Sequence, residues 1–269
     1  MDLDFATTLP MRDATTNTPA GFEVPAGACD THFHVFEPGY EHVSNPQYTF
    51  PDATLAQYVA MADFLGIDRS VIVQPTYYGE DNSLALWVLD SYQDRGVRAI
   101  RLDLFERKNW SIEDLEGYVG AMAARAAERD WHIQFYSPGS VVRDLLPFLS
   151  RHSGRFVIDH MGYMKKSDGL GDADFQGLIN ALGNGNVWIK LTGPYRIAGD
   201  EPLSTTEAIG RALVEARSDR LLWGTDWPHL PNGQRDTGEL LNLLATWAPD
   251  AADRQKILVD SPTELFFAT

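Results

Sequence analysis

An acid and two histidines stand at alternate positions, Asp30, His32 and His34, in the segment CDTHFHVF at 29–36. The segment otherwise has the pattern of a β-strand, and a strand's period of two sends His32 and His34 to the same face. A packed aliphatic pair is the ordinary choice there; two imidazoles on an interior face can bind a divalent metal or a reacting group. A third histidine, His160, follows the apolar run FVID, and Asp226 follows LLWGT between Trp223 and Trp227. A carboxylate ending so apolar a run is destabilising unless it is hydrogen-bonded or used. It is read either as a turn cap or as a general base that takes a proton from water. His229 offers a supporting or substrate contact three residues on. His42, His132 and His152 read as structural.

Arginine binds carboxylates bidentately and keeps its charge. Arg101 in IRLDLF, Arg107 just after it, and Arg196 in PYR therefore read as an anion clamp, with structural ion pairs as the plain alternative. Tyr136 is a neutral donor near the same strand ends. Tyr77, in the loop TYYGEDN, could line a pocket, and Lys190 is either a site cation or a surface lysine. His32, His34, His160 and Asp226 suit zinc or manganese as ligands. Hydrolytic metal centres of this kind usually add a bridging Lys or Glu from a middle strand. Here the middle strands offer Arg101, Asp103, Gln134 and Tyr136. The expectation is that no cofactor is required, with one divalent metal at those four residues as the alternative.

Strand patterns at 28–36, 70–75, 97–105, 131–137, 155–160, 187–192 and 220–226 alternate with helical patterns near 53–65, 82–94, 111–129, 140–151, 172–182, 204–217, 237–247 and 250–258. Such alternation is the signature of parallel strands with crossover helices, and in parallel barrels the chemistry gathers at the C-terminal strand ends. The candidate residues sit at those ends. Of the 269 residues 44% are hydrophobic, enough for one large core. Residues 1–20 read as a flexible N-terminal arm and 21–269 as a single domain. A net charge of −16 with no basic stripe argues against nucleic acid or an anionic membrane as partner. It leaves a small anionic substrate open. No signal peptide or membrane span is evident. Cys29 is the one cysteine and reads as a small packed residue, which fits a reducing cytoplasm. A monomer or homodimer is expected.

The segments DTHFHVFEP, VIDHMG, WIKLTGPYR and LLWGTDWPH resemble the 2-pyrone-4,6-dicarboxylate lactonase branch of the amidohydrolase superfamily, from about residue 20 to the C-terminus. That branch includes sugar-acid lactonases and a galactarolactone isomerase. The resemblance implies a TIM-barrel-like (β/α) barrel, α/β in class. It implies water activation by Asp226, and His32, His34 and His160 lining the reaction centre. It also implies substrate carboxylates held by Arg101, Arg107 and Arg196 with Tyr136 near the ring, and catalysis without metal. The expected reaction is hydrolysis of a carboxylate-bearing lactone. Lactone isomerisation, a zinc-dependent hydrolase or decarboxylase, and a silent binder of carboxylated molecules are the alternatives. One departure stands out. A barrel of this kind has eight strands, and the sequence offers seven, with the third βα unit missing before strand 97–105. Direct pairing of the second strand with 97–105 is expected, since a buried open edge would strand backbone groups.

Overall fold

The computed structural model describes residues 11–44, 52–91, 96–164, 169–230 and 234–268. The end of the predicted helix 82–94 and most of the link to the next strand lie outside the described residues, as do the first ten residues of the expected arm. The chain falls into two compact units, Met1–Gly96 with Gly224–Asn242, and Val97–Trp223 with Leu243–Thr269.

In the first unit β1 (Cys29–Phe33) and β2 (Arg69–Ile72) form a parallel pair. Helix α1 (Leu55–Leu65) links them; Thr54 and Gln57 close a capping box at its start, and Gly66 ends it in the left-handed conformation at φ 76°. Helix α2 (Ser83–Ser91) follows. The described part of the predicted arm is tied down. Arg12 reaches Asp236 at 3.0 Å, the Asn17 side chain accepts the Thr237 N–H at 2.9 Å, and Asn242 accepts the Gly21 N–H at 2.6 Å.

In the second unit β3 (Ala99–Asp103), β4 (His132–Tyr136), β5 (Phe156–Ile158), β6 (Val187–Leu191) and β7 (Leu221–Trp223) form a five-stranded parallel sheet in chain order. Crossovers run through α3 (Ile112–Ala127), α4 (Gly139–Arg151), α5 (Ala173–Gly183), the short α6 (Pro194–Ala198) and α7 (Glu207–Arg217). Side chains of Ser111 and Asp172 cap α3 and α5. Strands β5, β6 and β7 are buried along their whole length, as parallel strands covered on both faces should be. Helices α8 (Thr237–Trp247) and α9 (Ala251–Gln255) end the chain, and two π-helical turns, Lys256–Asp260 and Thr263–Phe267, carry the backbone through the predicted SPTELFF tail.

Seven strands are present among the described residues, as the sequence indicates, but the expected ladder between the second and third is not among their pairings. The physical premise of that expectation does not hold. β2 has no fully buried residue and β3 has only one, so neither strand shows the buried edge on which that expectation rested.

His132, read as structural, opens β4 wholly buried, with its ring edge on Phe266 at 5.1 Å. Among the described residues neither ring nitrogen has a hydrogen-bond partner. Burial, and then the charges of Lys190 and Arg155, push its pKa down from 6.5 to about 3. The folded ring stays neutral while the unfolded ring gains a proton below pH 6.5. Stability is therefore complete above that pH and falls toward pH 3, by about 1.4 kcal/mol per pH unit. In urea titrations from pH 7 to 4, His132→Phe is expected to show a shallower loss of stability than the parent. Equal slopes would remove His132 from the acid response.

Candidate active site

Asp30 organises the first unit. Its buried carboxylate accepts the His32 N–H at 2.9 Å, the Thr225 N–H at 2.9 Å, the Thr225 hydroxyl at 2.7 Å and the Tyr58 hydroxyl at 3.0 Å. Burial raises its pKa above 3.8, and those donors oppose the rise. Gly224 lets the returning chain approach. A Cβ there would meet the His32 nitrogen at 2.8 Å and Asp30 Oδ1 at 3.0 Å. The segment then follows β1, with Asp226 N–H donating to His32 O at 2.8 Å and His34 N–H donating to Trp227 O at 2.9 Å.

This placement sets Asp226 Oδ1 3.7 Å from His32 Nε2 and 3.6 Å from His34 Nε2. The two rings lie 5.0 Å apart at 86°. The shared face read from the strand period is thus occupied as expected. His34 Nδ1 lies 2.7 Å from Val73 O. A carbonyl only accepts, so Nδ1 carries the proton and the neutral ring aims a lone pair at Asp226. Two acceptors at that spacing are joined by a water that donates both protons, or by a cation. The three donor atoms lie within 4.8 Å of one another. Zinc–ligand bonds of roughly 2.0–2.2 Å fit such a set, and two imidazoles with a carboxylate are donors that zinc takes. The residues therefore fit a divalent cation.

His229 does not extend this group as a ligand. Its N–H donates to Asp226 O at 2.8 Å and its Nε2 meets the Thr237 hydroxyl at 2.9 Å, so the ring braces the turn against the start of α8. Tyr77 lies half-buried in an aromatic cluster, stacked on His42 at 4.6 Å and edge-on to Phe36 at 5.5 Å.

In the second unit His160 lies two residues past the end of β5. Its Nδ1 lies 2.9 Å from the Thr192 hydroxyl, which also accepts the His160 N–H at 3.3 Å. Gly193, at φ 57°, leaves room for both His160 and Arg196. A Cβ there would meet His160 Nδ1 at 2.9 Å and Arg196 Cδ at 3.0 Å. Tyr136 ends β4 with its ring 6.2 Å from His160, and Tyr163 lies 5.3 Å from the same imidazole. The Arg101 guanidinium lies 4.6 Å over the Tyr136 ring. Burial raises the Tyr136 phenol above its ordinary pKa, against the pull of the Arg196 and Arg101 charges. Arg101, Tyr136, His160 and Arg196 are thus brought together. Arg107 is directed elsewhere, over Tyr118 at 4.7 Å and the exposed Trp110 at 5.3 Å, with Nη1 donating to Asp103 O at 2.7 Å.

Lys190 is no surface lysine. It is wholly buried, and its Nζ donates to Gln134 Oε1 at 3.1 Å. Thr225, Asp159 and Thr192 escaped the sequence reading, and Asp30 was singled out there without a role. Asp159 could have been found beside His160. Thr225 and Thr192 carry no signal of their own. In the first unit Asp226 and His229, and in the second Asp130, His160, Met161 and Tyr163, hold φ between 51° and 62°, a region that side chains disfavour.

Parallel strands with chemistry-bearing residues just past their C-terminal ends define an α/β enzyme of the barrel-related kind. The chain belongs to the amidohydrolase family, whose model matches residues 90–268. It is 34% identical to a 4-sulfomuconolactone hydrolase from Rhizobium radiobacter, over 93% of each chain. It is 32% identical to a 2-pyrone-4,6-dicarboxylate hydrolase from Comamonas testosteroni, over 91% of this chain and 92% of that one. A ligand-free crystal structure from Agrobacterium tumefaciens superposes with a TM-score of 0.79 at 26% identity, over 93% of this chain and 99% of that one. The TIM-barrel-like α/β class expected from the sequence is the class these likenesses show. Among the described residues no helix is long and apolar enough to cross a membrane.

Thr225→Val removes one donor from the Asp30 carboxylate and the acceptor of the Trp227 N–H. The expected loss of stability is about 1–3 kcal/mol, read as a lower urea midpoint. An unchanged midpoint would show that Asp30 does not hold the return segment.

Proposed function

We propose that this protein hydrolyses a lactone carrying anionic groups, of the 2-pyrone-4,6-dicarboxylate or sulfomuconolactone kind. The observation that carries the reading is Asp226 Oδ1 lying 3.6 and 3.7 Å from two imidazole nitrogens. The names of two relatives at 34% and 32% identity point the same way.

Asp226 is the general base. A water donating to Asp226 and to the His34 lone pair turns its own lone pair toward the lactone carbonyl carbon. Its oxygen bonds to that carbon while Asp226 takes a proton. The tetrahedral adduct collapses, the ring C–O bond breaks, and Asp226 returns the proton to the leaving oxygen, giving an open-chain acid. The His34 tautomer makes that ring a water-orienting acceptor. His160 suits the donor role. A Thr192 hydroxyl that donates to Nδ1 leaves the proton on Nε2, available to a developing oxyanion. Arg101 and Arg196 bind the anionic substituents, with Tyr136 as a neutral donor, which lowers the entropic part of the barrier. Arg107, engaged with Trp110 and Tyr118, is left out of the clamp.

A divalent cation, where bound, would be held by His32, His34 and Asp226 and would supply a more acidic water. We infer that none is required, because strands β3 and β4 offer Arg101, Asp103, Gln134 and Tyr136 and no bridging Lys or Glu. The single cysteine supports a cytoplasmic enzyme.

A panel of 2-pyrone-4,6-dicarboxylate, 4-sulfomuconolactone, galactarolactone and neutral γ-butyrolactone, assayed with product analysis, is expected to show ring-opened acid from an anionic member. A rearranged lactone as sole product would make the enzyme an isomerase, and no turnover would make it a binder. Activity is expected to survive exhaustive chelation; loss on chelation with recovery on adding zinc would overturn the metal-free reading. Asp226→Asn is expected to lower kcat about 10²–10⁴-fold while keeping substrate affinity. A variant with most of the parent rate would move the base elsewhere.

A further inference from the structure

One buried group of charged and polar side chains in the second unit has no direct part in that mechanism. Asp159 is 1% exposed and Lys190 and Gln134 are 0% and 3% exposed. Arg101 donates from Nε to Asp159 Oδ2 at 3.1 Å, and its Nη2 lies 3.0 Å from the same oxygen as an ion pair. The same carboxylate accepts from Gln134 Nε2, at 2.9 Å on Oδ1 and 3.1 Å on Oδ2. Gln134 Oε1 in turn accepts from Lys190 Nζ at 3.1 Å. The order along the chain of bonds is Lys190, Gln134, Asp159, Arg101.

Each bond fixes the next. A lysine ammonium only donates, so the Gln134 carbonyl must face it and the Gln134 amide must face Asp159. Asp159 then receives donors from two sides and has to be a carboxylate, since an amide has only one acceptor oxygen. Arg101 spends the side of its fork that holds Nε on Asp159, while one face lies on Tyr136. Its plane is thereby set. The Nη1 end makes no hydrogen bond among the described residues. That end is the fork that recognises planar and tripodal oxyanions.

We propose that Asp159, held in register by Lys190 through Gln134, is a positioning residue that aims the free end of Arg101 at an anionic substituent of the substrate. The inference rests on the reading of Arg101 as a substrate-binding residue. It assigns Lys190 and Gln134 a task in specificity, and it gives a role to the buried Lys190, which bonds Gln134 at 3.1 Å and lies 3.9 Å from Asp159 Oδ1.

The test separates aiming from charge. Removing a negative charge beside an anion site strengthens the attraction on electrostatic grounds alone, whereas losing the aim weakens binding. KM and kcat are measured with whichever of 2-pyrone-4,6-dicarboxylate and 4-sulfomuconolactone turns over, for the parent, Asp159→Asn, Arg101→Met and the double variant. The expected result is a KM raised about 10- to 100-fold by Asp159→Asn, the scale of a charge-assisted hydrogen bond, with a smaller change in kcat. In the Arg101→Met background the second substitution should raise KM no further. A lowered KM, or additive effects in the double variant, would overturn the proposal. Should Arg101→Met leave KM unchanged, the substrate reading of Arg101 falls first and takes the proposal with it. The parent protein supplies a measurement that needs no Asp159 variant to fold. An Arg Nε–H resonance slow to exchange with solvent, absent from Arg101→Met, is expected by ¹⁵N NMR. Its absence from the parent would show that the side-on pairing with Asp159 does not persist in solution.

Discussion

The arrangement in the first unit depends on one buried carboxylate. Asp30 lies two residues before His32 and joins β1 to a segment 195 positions further along the chain. Four donors converge on it, and each fixes a different piece: the His32 backbone, the Thr225 backbone, the Thr225 hydroxyl and the Tyr58 hydroxyl. A buried anion so fully satisfied is specific because any shift in register would leave it unpaired. The position of Asp226 relative to the two imidazoles follows from that requirement. Asp30, rather than the proposed base Asp226, carries that scaffolding.

A similar division of labour holds in the second unit. Tyr136 supplies an aromatic face and Arg101 supplies charge, and Asp159 carries the burden of holding the guanidinium plane. In both units, then, one carboxylate is used to build, and it sits one or two residues from a histidine of the candidate site. Asp30 precedes His32 by two positions along a strand, and Asp159 precedes His160 directly. The residue types alone do not tell builder from worker, since both are acids beside histidines at strand ends.

That ambiguity explains what could be read in the sequence. The seven strands were legible because short β-branched and aromatic runs between amphipathic helices have few other meanings. His32, His34, His160 and Asp226 were legible because polar residues in such runs are costly without a use. The sequence could not separate Arg107 from Arg101: they share type and neighbourhood, and the structure rests the Arg107 guanidinium over Trp110 and Tyr118. Burial of Lys190 was invisible because its partner, Gln134, lies on another strand. Pairing of β2 with β3 was argued from a buried edge, and exposure is not a local property of sequence.

The discontinuous make-up of the first unit has a consequence for biosynthesis. Its two stretches, Met1–Gly96 and Gly224–Asn242, are separated by the strands of the five-stranded sheet. As the ribosome delivers the chain from the N-terminus, β1 and β2 emerge early with Asp30 still lacking Thr225. All of β3 to β7 must be synthesised before Thr225 can arrive. During that interval the nascent chain holds an acid with only two of its four donors, from His32 and Tyr58, a state that other proteins could bind or mispair with. Translation speed through residues 97–223 therefore sets how long the Asp30 edge waits, and a slow stretch there lengthens the exposure without altering a single residue of the finished enzyme.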